Sequence, residues 1–251
     1  MCGRYMVLSS PVAIRRLFGY LEQPNFPPRY NVAPTQPVPI VRMLEGHRQF
    51  ALVRWGLIPA WVKDPRRFSL LINARVESMN DKPAFRNAMR CRRCLVPADG
   101  FYDWKDDGRR RHPYCVRPKD GAPIAFAGLW ESWMGPNGEE METVAIITTP
   151  ANRELASLHD RMPAIVPAEA FDLWLDCRNV DALTAAELCA PAPDGLLEAY
   201  EVSPAVNRAD NDGPELIAPL PAHSPAPSSA GADQPKRAKA PKTDDRQPSL
   251  F

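Results

Sequence analysis

The chain has 251 residues, of which 45% are hydrophobic and 24% are charged, and its formal net charge at pH 7 is +1. These fractions are ordinary for a globular protein, and no apolar run reaches the about 20 residues of a membrane-spanning helix, so we expect no membrane partner. No apolar segment follows Arg4 to form a secretory signal, and the six cysteines then favour a reducing, cytoplasmic location.

Charge is distributed unevenly along the chain. Residues 1–118 carry 21 Lys and Arg against nine Asp and Glu, whereas residues 119–218 carry five against 18. Such asymmetry is a hint of contact with nucleic acid. The alternative is that folding mixes the two signs on one surface, and the sequence leaves both interpretations open.

Short apolar runs between Pro and Gly predict eight strands, because they are rich in β-branched residues. In chain order the predicted strands are residues 4–8, 38–44, 50–55, 94–98, 113–117, 124–130, 143–149 and 197–202. Helices are predicted after the N-cap Ser10, over residues 167–175 and over residues 181–188. Strands in runs with a few helices between them indicate an α+β fold on a mainly antiparallel sheet or barrel.

The composition changes at about Pro221. From there the chain is rich in Pro, Ala, Ser, Lys and Asp, and apart from proline it has no apolar side chain larger than Ala until Leu250. Such a segment buries too little apolar surface to offset its ordering entropy. We therefore predict one domain over residues 1–220 and a disordered tail over residues 221–251.

Four residues have spacings that zinc sites tolerate, namely Cys91, Cys94, His112 and Cys115. Cys94 and Cys115 nevertheless fall within predicted strands, where buried cysteines behave as small hydrophobic residues. We favour the core interpretation and expect no metal.

Asp103 lies between Tyr102 and Trp104 in a predicted extended segment. Strand alternation places the two aromatic side chains on one face and the carboxylate on the other. A carboxylate in such surroundings acquires a raised pKa and acts as a general acid or base. The alternative is a solvated Asp103 that faces Lys105 or an arginine.

Two further stretches carry polar side chains that are suited to binding or to proton transfer. Asn73 and Arg75 share a face if their segment is extended, and arginine offers a fork for phosphate. His159 precedes Asp160, and it is either a proton shuttle or a hydrogen-bonded structural histidine.

The chain begins Met-Cys-Gly-Arg-Tyr. If Met1 is removed, Cys2 carries a free amine and a thiol on neighbouring carbons, which no interior cysteine has. The alternative is that a small residue merely occupies the second position.

Six stretches together resemble the SOS response-associated peptidase (SRAP) family over residues 1–220. They are MCGRY at 1–5, RYNVAPT at 29–35, RWGLIPAW at 54–61, INARVE at 72–77, RCLVPADGFYDW at 93–104 and HDRMP at 159–163. The resemblance implies a single α+β domain built on a curved, barrel-like, mainly antiparallel sheet with flanking helices.

The resemblance also implies self-removal of Met1 and a covalent crosslink between Cys2 and abasic sites in single-stranded DNA, within the DNA damage response and without a cofactor. In this chemistry the amine forms a Schiff base with the sugar aldehyde, and the thiol closes a thiazolidine ring on the same carbon. An α-amine with a pKa of about 8 is partly unprotonated at neutral pH and is able to attack.

Carried over by position, Asn73 holds the Cys2 end and the sugar, and His159 assists ring opening and proton transfer. Asp103 occupies a position where the family usually has glutamate, so its reach is shorter by one methylene, roughly 1.5 Å. A catalytic group misplaced by ~1 Å costs ~100-fold in rate. Either the backbone or a water compensates, or the crosslink forms and reverses more slowly here.

The resemblance assigns DNA contacts to five further positions. Arg4, Arg75 and Arg161 match positions that face phosphates. Trp61 matches an aromatic that stacks on a base or wedges a strand junction, and Pro34 shapes the pocket unless it is a simple turn proline. The expected partner is single-stranded DNA with abasic sites, bound by a monomer at the nucleoid.

The terminal sequence QPSLF, with Gln247, Leu250 and Phe251, resembles the short peptide by which bacterial repair proteins bind the replicative sliding clamp. A Leu–Phe pair suits a hydrophobic pocket, and a flexible tether raises the effective concentration near DNA. A chance match of five residues is the alternative.

Two other functions stay open on the sequence. One is a thiol peptidase that acts on other proteins with Cys2 as nucleophile, and it does not require a basic, aromatic half. The other is a non-catalytic, clamp-associated adaptor for single-stranded DNA, and it does not require an N-terminal amine and thiol.

Overall fold

Residues 2–221, which the computed structural model describes, form thirteen strands and four helices. The strands are β1 Arg4–Val7, β2 Arg29–Val32, β3 Pro37–Leu44, β4 His47–Trp55, β5 Asn73–Arg75, β6 Arg93–Ala98, β7 Gly100–Asp106, β8 Arg111–Pro118, β9 Ile124–Met134, β10 Glu140–Pro150, β11 Arg161–Pro163, β12 Ile165–Val166 and β13 Leu197–Glu201. The helices are α1 Pro11–Phe18, α2 Arg86–Cys91, α3 Phe171–Leu175 and α4 Ala182–Glu187.

The eight predicted strands and the three predicted helices are all present, with ends that differ by a few residues, and the predicted α+β fold is confirmed. At α1 the Ser10 hydroxyl accepts a hydrogen bond from the Ala13 amide at 3.2 Å, and Gly19 ends the helix at a φ of 71°. The segment 167–175 instead begins as a 3-10 turn over Ala168–Ala170 before α3 starts. The predicted strands do not include β2, β5, β7, β11 and β12, although the segments of β5 and β7 were considered as extended, and the predicted helices do not include α2.

Strand β10 closes a ring of five strands. It pairs antiparallel with β9 and parallel with β4, and β4, β3, β6 and β9 follow one another around the ring by antiparallel pairing. The short strand β5 also pairs with β10, and β11 pairs with the far end of β10. The predicted barrel-like sheet is therefore a closed barrel with short strands added at one end of β10.

A second sheet of five strands, in the order β13-β8-β7-β1-β2, packs against this barrel. Tyr5 of β1 connects the two, because its ring lies edge-on to Trp55 at 5.3 Å and to Phe126 at 5.9 Å between centroids. Cys2 and Tyr5 belong to the same large cluster of buried apolar side chains as the barrel strands. The start of the chain is thus anchored in the core.

The described residues contain no helix that combines the length and the apolar character needed to cross a lipid bilayer. The predicted tail lies outside the described residues from 222 onward, so the boundary at residue 220 stays a prediction.

Arg93 joins the barrel to the segments around α2 and α3. Its buried guanidinium donates hydrogen bonds to the carbonyl oxygens of Met89, Trp174, Asp176 and Val180, at 2.7 to 2.9 Å. Met89 and Trp174 lie in the last turns of α2 and α3, where carbonyl groups have no partner within the helix, and Asp176 and Val180 lie in the segment between α3 and α4.

We expect Arg93→Met to lower the free energy of unfolding by about 3–5 kcal/mol, because it leaves buried acceptors without a donor. Urea denaturation measures this loss. Arg16→Met is the matched control, since Arg16 is exposed on α1, and it is expected to leave stability close to that of the wild type. Equal midpoints for the two variants would show that the Arg93 hydrogen bonds contribute nothing net.

Candidate functional site

Cys2 precedes β1, and its side chain is fully buried. Its thiol lies 3.7 Å from the carbonyl oxygen of Arg4, to which it donates a weak hydrogen bond. Burial raises the pKa of the Cys2 thiol far above its ordinary value, and the nearby Asp103 carboxylate raises it further. The resting sulfur is therefore a protonated thiol.

Asn73 holds the backbone of Cys2. It lies on β5, opposite Ile146 of β10, and its Nδ2 donates a hydrogen bond to the Cys2 carbonyl oxygen at 2.9 Å. Its other amide atom, Oδ1, is buried and has no hydrogen-bond partner within residues 2–221. An unused buried acceptor costs about 1–3 kcal/mol, and this one is available to a donor on a ligand.

Asp103 lies on β7 with 3% of its surface exposed. Tyr102 and Trp104 pack into a separate apolar cluster, so the predicted alternation of faces is confirmed. The carboxylate accepts a hydrogen bond from the Trp104 amide at 2.9 Å. Burial raises the pKa of Asp103, and the nearby His159 acts in the opposite direction. The raised pKa is thus confirmed, and the solvated alternative is wrong.

His159 lies between β10 and β11 and is partly buried. Its Nδ1 accepts a hydrogen bond from the Arg161 amide at 3.0 Å and lies 2.8 Å from an oxygen of Asp160. His159 and Asp103 line one cleft of about 590 Å³, together with Ile72, Trp104 and Leu158. The structure therefore brings Cys2, Asn73, Asp103 and His159 to one place from four separate segments.

Two of the arginines assigned to phosphate contacts hold protein groups instead. Arg4 donates to Asn31 Oδ1 at 2.9 Å and to the carbonyl oxygens of Val206 and Asn207. Arg161 forms a two-point ion pair with Glu77, and its side chain is 10% exposed. The contact of Arg4 and Arg161 with DNA stays a prediction. It requires either that these side chains rearrange or that their remaining N–H groups bind the phosphates.

The other three positions assigned to DNA lie at or near the surface. Arg75 is exposed on β5, two residues from Asn73. Trp61 is 60% exposed. Pro34 occupies the second position of a turn that the Gln36 amide closes onto the Ala33 carbonyl at 3.3 Å, so the turn and pocket roles of Pro34 remain compatible.

The sequence analysis missed the partners that orient the site. Asn31 is fully buried on β2, where its Nδ2 group lies 2.8 to 3.2 Å from three carbonyl oxygens. The available signal was a polar residue next to the apolar Val32 and Ala33. Glu77 pairs with Arg161 across 84 residues, which no local pattern reveals. Thr148 of β10 is buried, and its carbonyl and hydroxyl both contact the Arg161 guanidinium.

The cysteines of the rejected zinc set are separated by the fold. Cys94 of β6 belongs to the barrel core, whereas Cys115 of β8 belongs to the cluster of the second sheet. His112 contacts Glu201 at 2.8 Å and Asp107 at 3.1 Å. Within residues 2–221, no group of three or more His, Cys, Asp or Glu side chains is arranged to hold a metal ion.

Comparison with known proteins decides the family. A family model described as SOS response associated peptidase (SRAP) matches residues 1–209. The chain belongs to this family. The resemblance drawn from the six sequence stretches is thereby confirmed for most of the length of the chain.

Two relatives and one solved structure show how close this SRAP chain is to others. The abasic site processing protein YoqW of Bacillus subtilis is 38% identical over 221 residues, which cover 86% of this chain and 99% of the relative. The abasic site processing protein YedK of Escherichia coli is 32% identical over 194 residues, 76% of this chain and 85% of the relative. A crystal structure of a protein from Bacteroides thetaiotaomicron has a TM-score of 0.77 and 26% identity, and it covers 87% of this chain and 100% of that chain.

The remaining expectations for this SRAP chain are untested. Gln247, Leu250 and Phe251 lie outside the described residues, so binding to the sliding clamp stays a prediction. The monomeric state and the location at the nucleoid stay predictions as well.

The burial of Asp103 predicts a pH-dependent stability. Because its folded pKa exceeds its unfolded value, the native state binds more protons between the two values, and stability falls as the pH rises through the folded pKa. We expect Asp103→Asn to unfold at higher urea than the wild type at neutral pH. The difference should vanish below a pH of about 4, where the unfolded carboxyl is also protonated.

Urea denaturation at both pH values is the measurement. Asp81→Asn, which removes an exposed carboxylate, is the control and should match the wild type at both. A stabilisation of Asp103→Asn that is the same at neutral and acidic pH would contradict the role given to burial.

Proposed function

We propose that this protein forms a covalent crosslink between Cys2, made N-terminal by removal of Met1, and the aldehyde of abasic sites in single-stranded DNA. The observation that carries the proposal is the hydrogen bond from Asn73 to the Cys2 carbonyl oxygen, which holds the start of the chain next to a buried carboxylate. The relatives named abasic site processing proteins support the choice of substrate.

The reaction balances without an oxidant or a cofactor. The Cys2 amine adds to the aldehyde carbon of the ring-opened sugar, and loss of one water gives a Schiff base. The thiol then adds to the carbon of the protonated Schiff base, so that sulfur bonds to carbon, the nitrogen becomes a secondary amine and the thiol proton passes to the Asp103 carboxylate. The product is a five-membered thiazolidine, which requires amine and thiol on neighbouring carbons.

Each neighbouring side chain has a role in this sequence. Asp103, with its raised pKa, donates a proton to the departing hydroxyl group and receives one from the thiol. His159 lines the same cleft and assists opening of the sugar ring. Asn73 fixes Cys2 with Nδ2, and its unused Oδ1 accepts a hydrogen bond from the amine or from a sugar hydroxyl.

The burial of Cys2 also bears on the alternative functions. A peptidase that acts on other proteins must present its thiol to an extended peptide, whereas the Cys2 thiol is fully buried and protonated at rest. This arrangement favours attack on a small electrophile or on the chain's own start. An adaptor without turnover would not need a buried acid next to Cys2.

We expect the wild-type protein to form an adduct with abasic single-stranded DNA that survives denaturing electrophoresis, and intact mass to show loss of Met1. Cys2→Ala should give no stable band, because an imine without the thiol hydrolyses. Cys91→Ala, which removes an exposed thiol elsewhere, is the control and should retain the band. A stable adduct in Cys2→Ala would refute the thiazolidine.

Asp103 is one methylene shorter than the glutamate that the family usually has, so we expect variants at position 103 to differ in the rate of adduct formation. Asp103→Glu should remain active, whereas Asp103→Ala should form the adduct about 100-fold more slowly, since general acid–base catalysis contributes at least that much. Single-turnover rates of adduct formation measure the effect. Equal rates for Asp103→Ala and the wild type would remove this carboxylate from the mechanism.

A further inference from the structure

The phenol hydroxyl of Tyr5 is buried and unsatisfied. Tyr5 has none of its surface exposed, and its hydroxyl oxygen has no hydrogen-bond partner among residues 2–221. Such a group destabilises the free protein, because it loses its hydrogen bonds to water on folding and gains none in return. Its presence in a native structure requires an explanation, and none of the roles given above to Cys2, Asn73, Asp103 or His159 uses this hydroxyl.

Tyr5 lies beside the groups that hold Cys2. The two residues are three apart in the chain, so their Cα atoms are at most about 11 Å apart, and both side chains belong to one buried cluster. The Tyr5 ring packs edge-on against Trp55, and the indole N–H of Trp55 donates to the Ile72 carbonyl oxygen at 3.0 Å. Ile72 immediately precedes Asn73, which binds the Cys2 carbonyl. Tyr5 is thus packed against the residue that anchors the Cys2-binding segment.

The Tyr5 hydroxyl and the Cys2 thiol lie within each other's electrostatic field. Burial raises the pKa of Tyr5 well above its ordinary value, and negative charge on the Cys2 sulfur raises it further, while Arg29 acts in the opposite direction. The phenol therefore keeps its proton at neutral pH. It is a hydrogen-bond donor whether the thiol is protonated or not.

Closure of the thiazolidine ring is the step that a donor near sulfur assists. In this step the Cys2 thiol loses its proton to Asp103 while sulfur bonds to carbon, so negative charge develops on sulfur inside a buried site. Burial and the Asp103 carboxylate both raise the pKa of the thiol, and the Arg4 backbone offsets only part of this rise. A fixed, neutral donor next to the sulfur lowers the free energy of the charged state.

We propose that Tyr5 is a further catalytic residue, whose hydroxyl donates a hydrogen bond to the Cys2 sulfur as the thiol loses its proton and closes the thiazolidine ring. The bond forms when the sulfur turns away from the Arg4 carbonyl oxygen, to which the resting thiol donates at 3.7 Å. The phenol keeps its own proton throughout, so the thiol proton still passes to Asp103 and the step balances as before. This inference rests on the proposed function, because it assigns a donor to one step of that reaction.

The test follows adduct formation between full-length Tyr5→Phe and abasic single-stranded DNA under single-turnover conditions. This substitution removes the hydroxyl and retains the ring that packs against Trp55 and Phe126. We expect the thiazolidine to form about 10-fold more slowly than in the wild type, since a hydrogen bond to a charged group contributes about that much.

Trapping with cyanoborohydride separates the two covalent steps, because this reagent reduces the Schiff base to a stable amine and leaves the thiazolidine intact. Intact mass distinguishes the two adducts, since the reduced one is heavier by the hydride and the proton that it gained. Tyr5→Phe should give a larger reduced fraction than the wild type, because its Schiff base persists longer before the thiol adds. The initial rate of Schiff base formation should be unchanged, since attack by the amine does not involve sulfur.

The matched control is Tyr20→Phe. The Tyr20 hydroxyl is also buried and has no partner in the described part of the chain, but its ring packs against Phe50 and not beside Cys2. Both variants should unfold at the same urea concentration as the wild type or at a higher one, because each loses an unsatisfied hydroxyl. Tyr20→Phe should form the adduct at the wild-type rate.

A wild-type rate and a wild-type reduced fraction in Tyr5→Phe would overturn the inference and leave the proposed function in place. A lower urea midpoint for Tyr5→Phe, with Tyr20→Phe unchanged, would also overturn it, because the hydroxyl would then have a structural partner. Absence of any adduct between the wild type and abasic DNA would instead overturn the proposed function, and the inference with it.

Discussion

The pairing of β10 with four other strands is the constraint on which the rest of the site depends. Antiparallel pairing with β9 and parallel pairing with β4 close the barrel, while β5 and β11 pair at the far end of the strand. Register then places Asn73 opposite Ile146 and Arg161 opposite Pro150. Backbone hydrogen bonds of a closed barrel resist shear, so side chains from distant segments keep fixed positions relative to Cys2.

Burial of the Asp103 carboxyl next to the Cys2 thiol lowers the free energy of unfolding, and packing elsewhere in the fold has to offset this loss. Desolvation raises the pKa values of both Asp103 and Cys2, and it leaves Asn73 Oδ1 without a partner within the described residues. Such groups persist only where the surrounding packing over-determines them, and here Tyr5 holds β1 against Trp55 in the barrel. Their concentration at one place marks a candidate functional site.

The arginines near the site fall into two physical classes. Arg4 and Arg161 are largely enclosed and satisfy protein acceptors, so they fix the segments that carry the site. Arg75 is exposed on β5, so its guanidinium group faces solvent. Of these three arginines, only Arg75 is available to an anionic ligand in the structure as it stands.

The sequence by itself determined the features that depend on a few neighbouring residues. Ser10 and Gly19 set the ends of α1, and alternation along β7 set Asp103 apart from Tyr102 and Trp104. The ordered motifs also identified the family. Only the tertiary structure decided that Asp103 is buried, that Asn73 binds the Cys2 carbonyl and that Glu77 forms an ion pair with Arg161. The reason is physical: propensity and periodicity act within one turn or strand, whereas burial and partner choice depend on segments 71 to 84 residues apart.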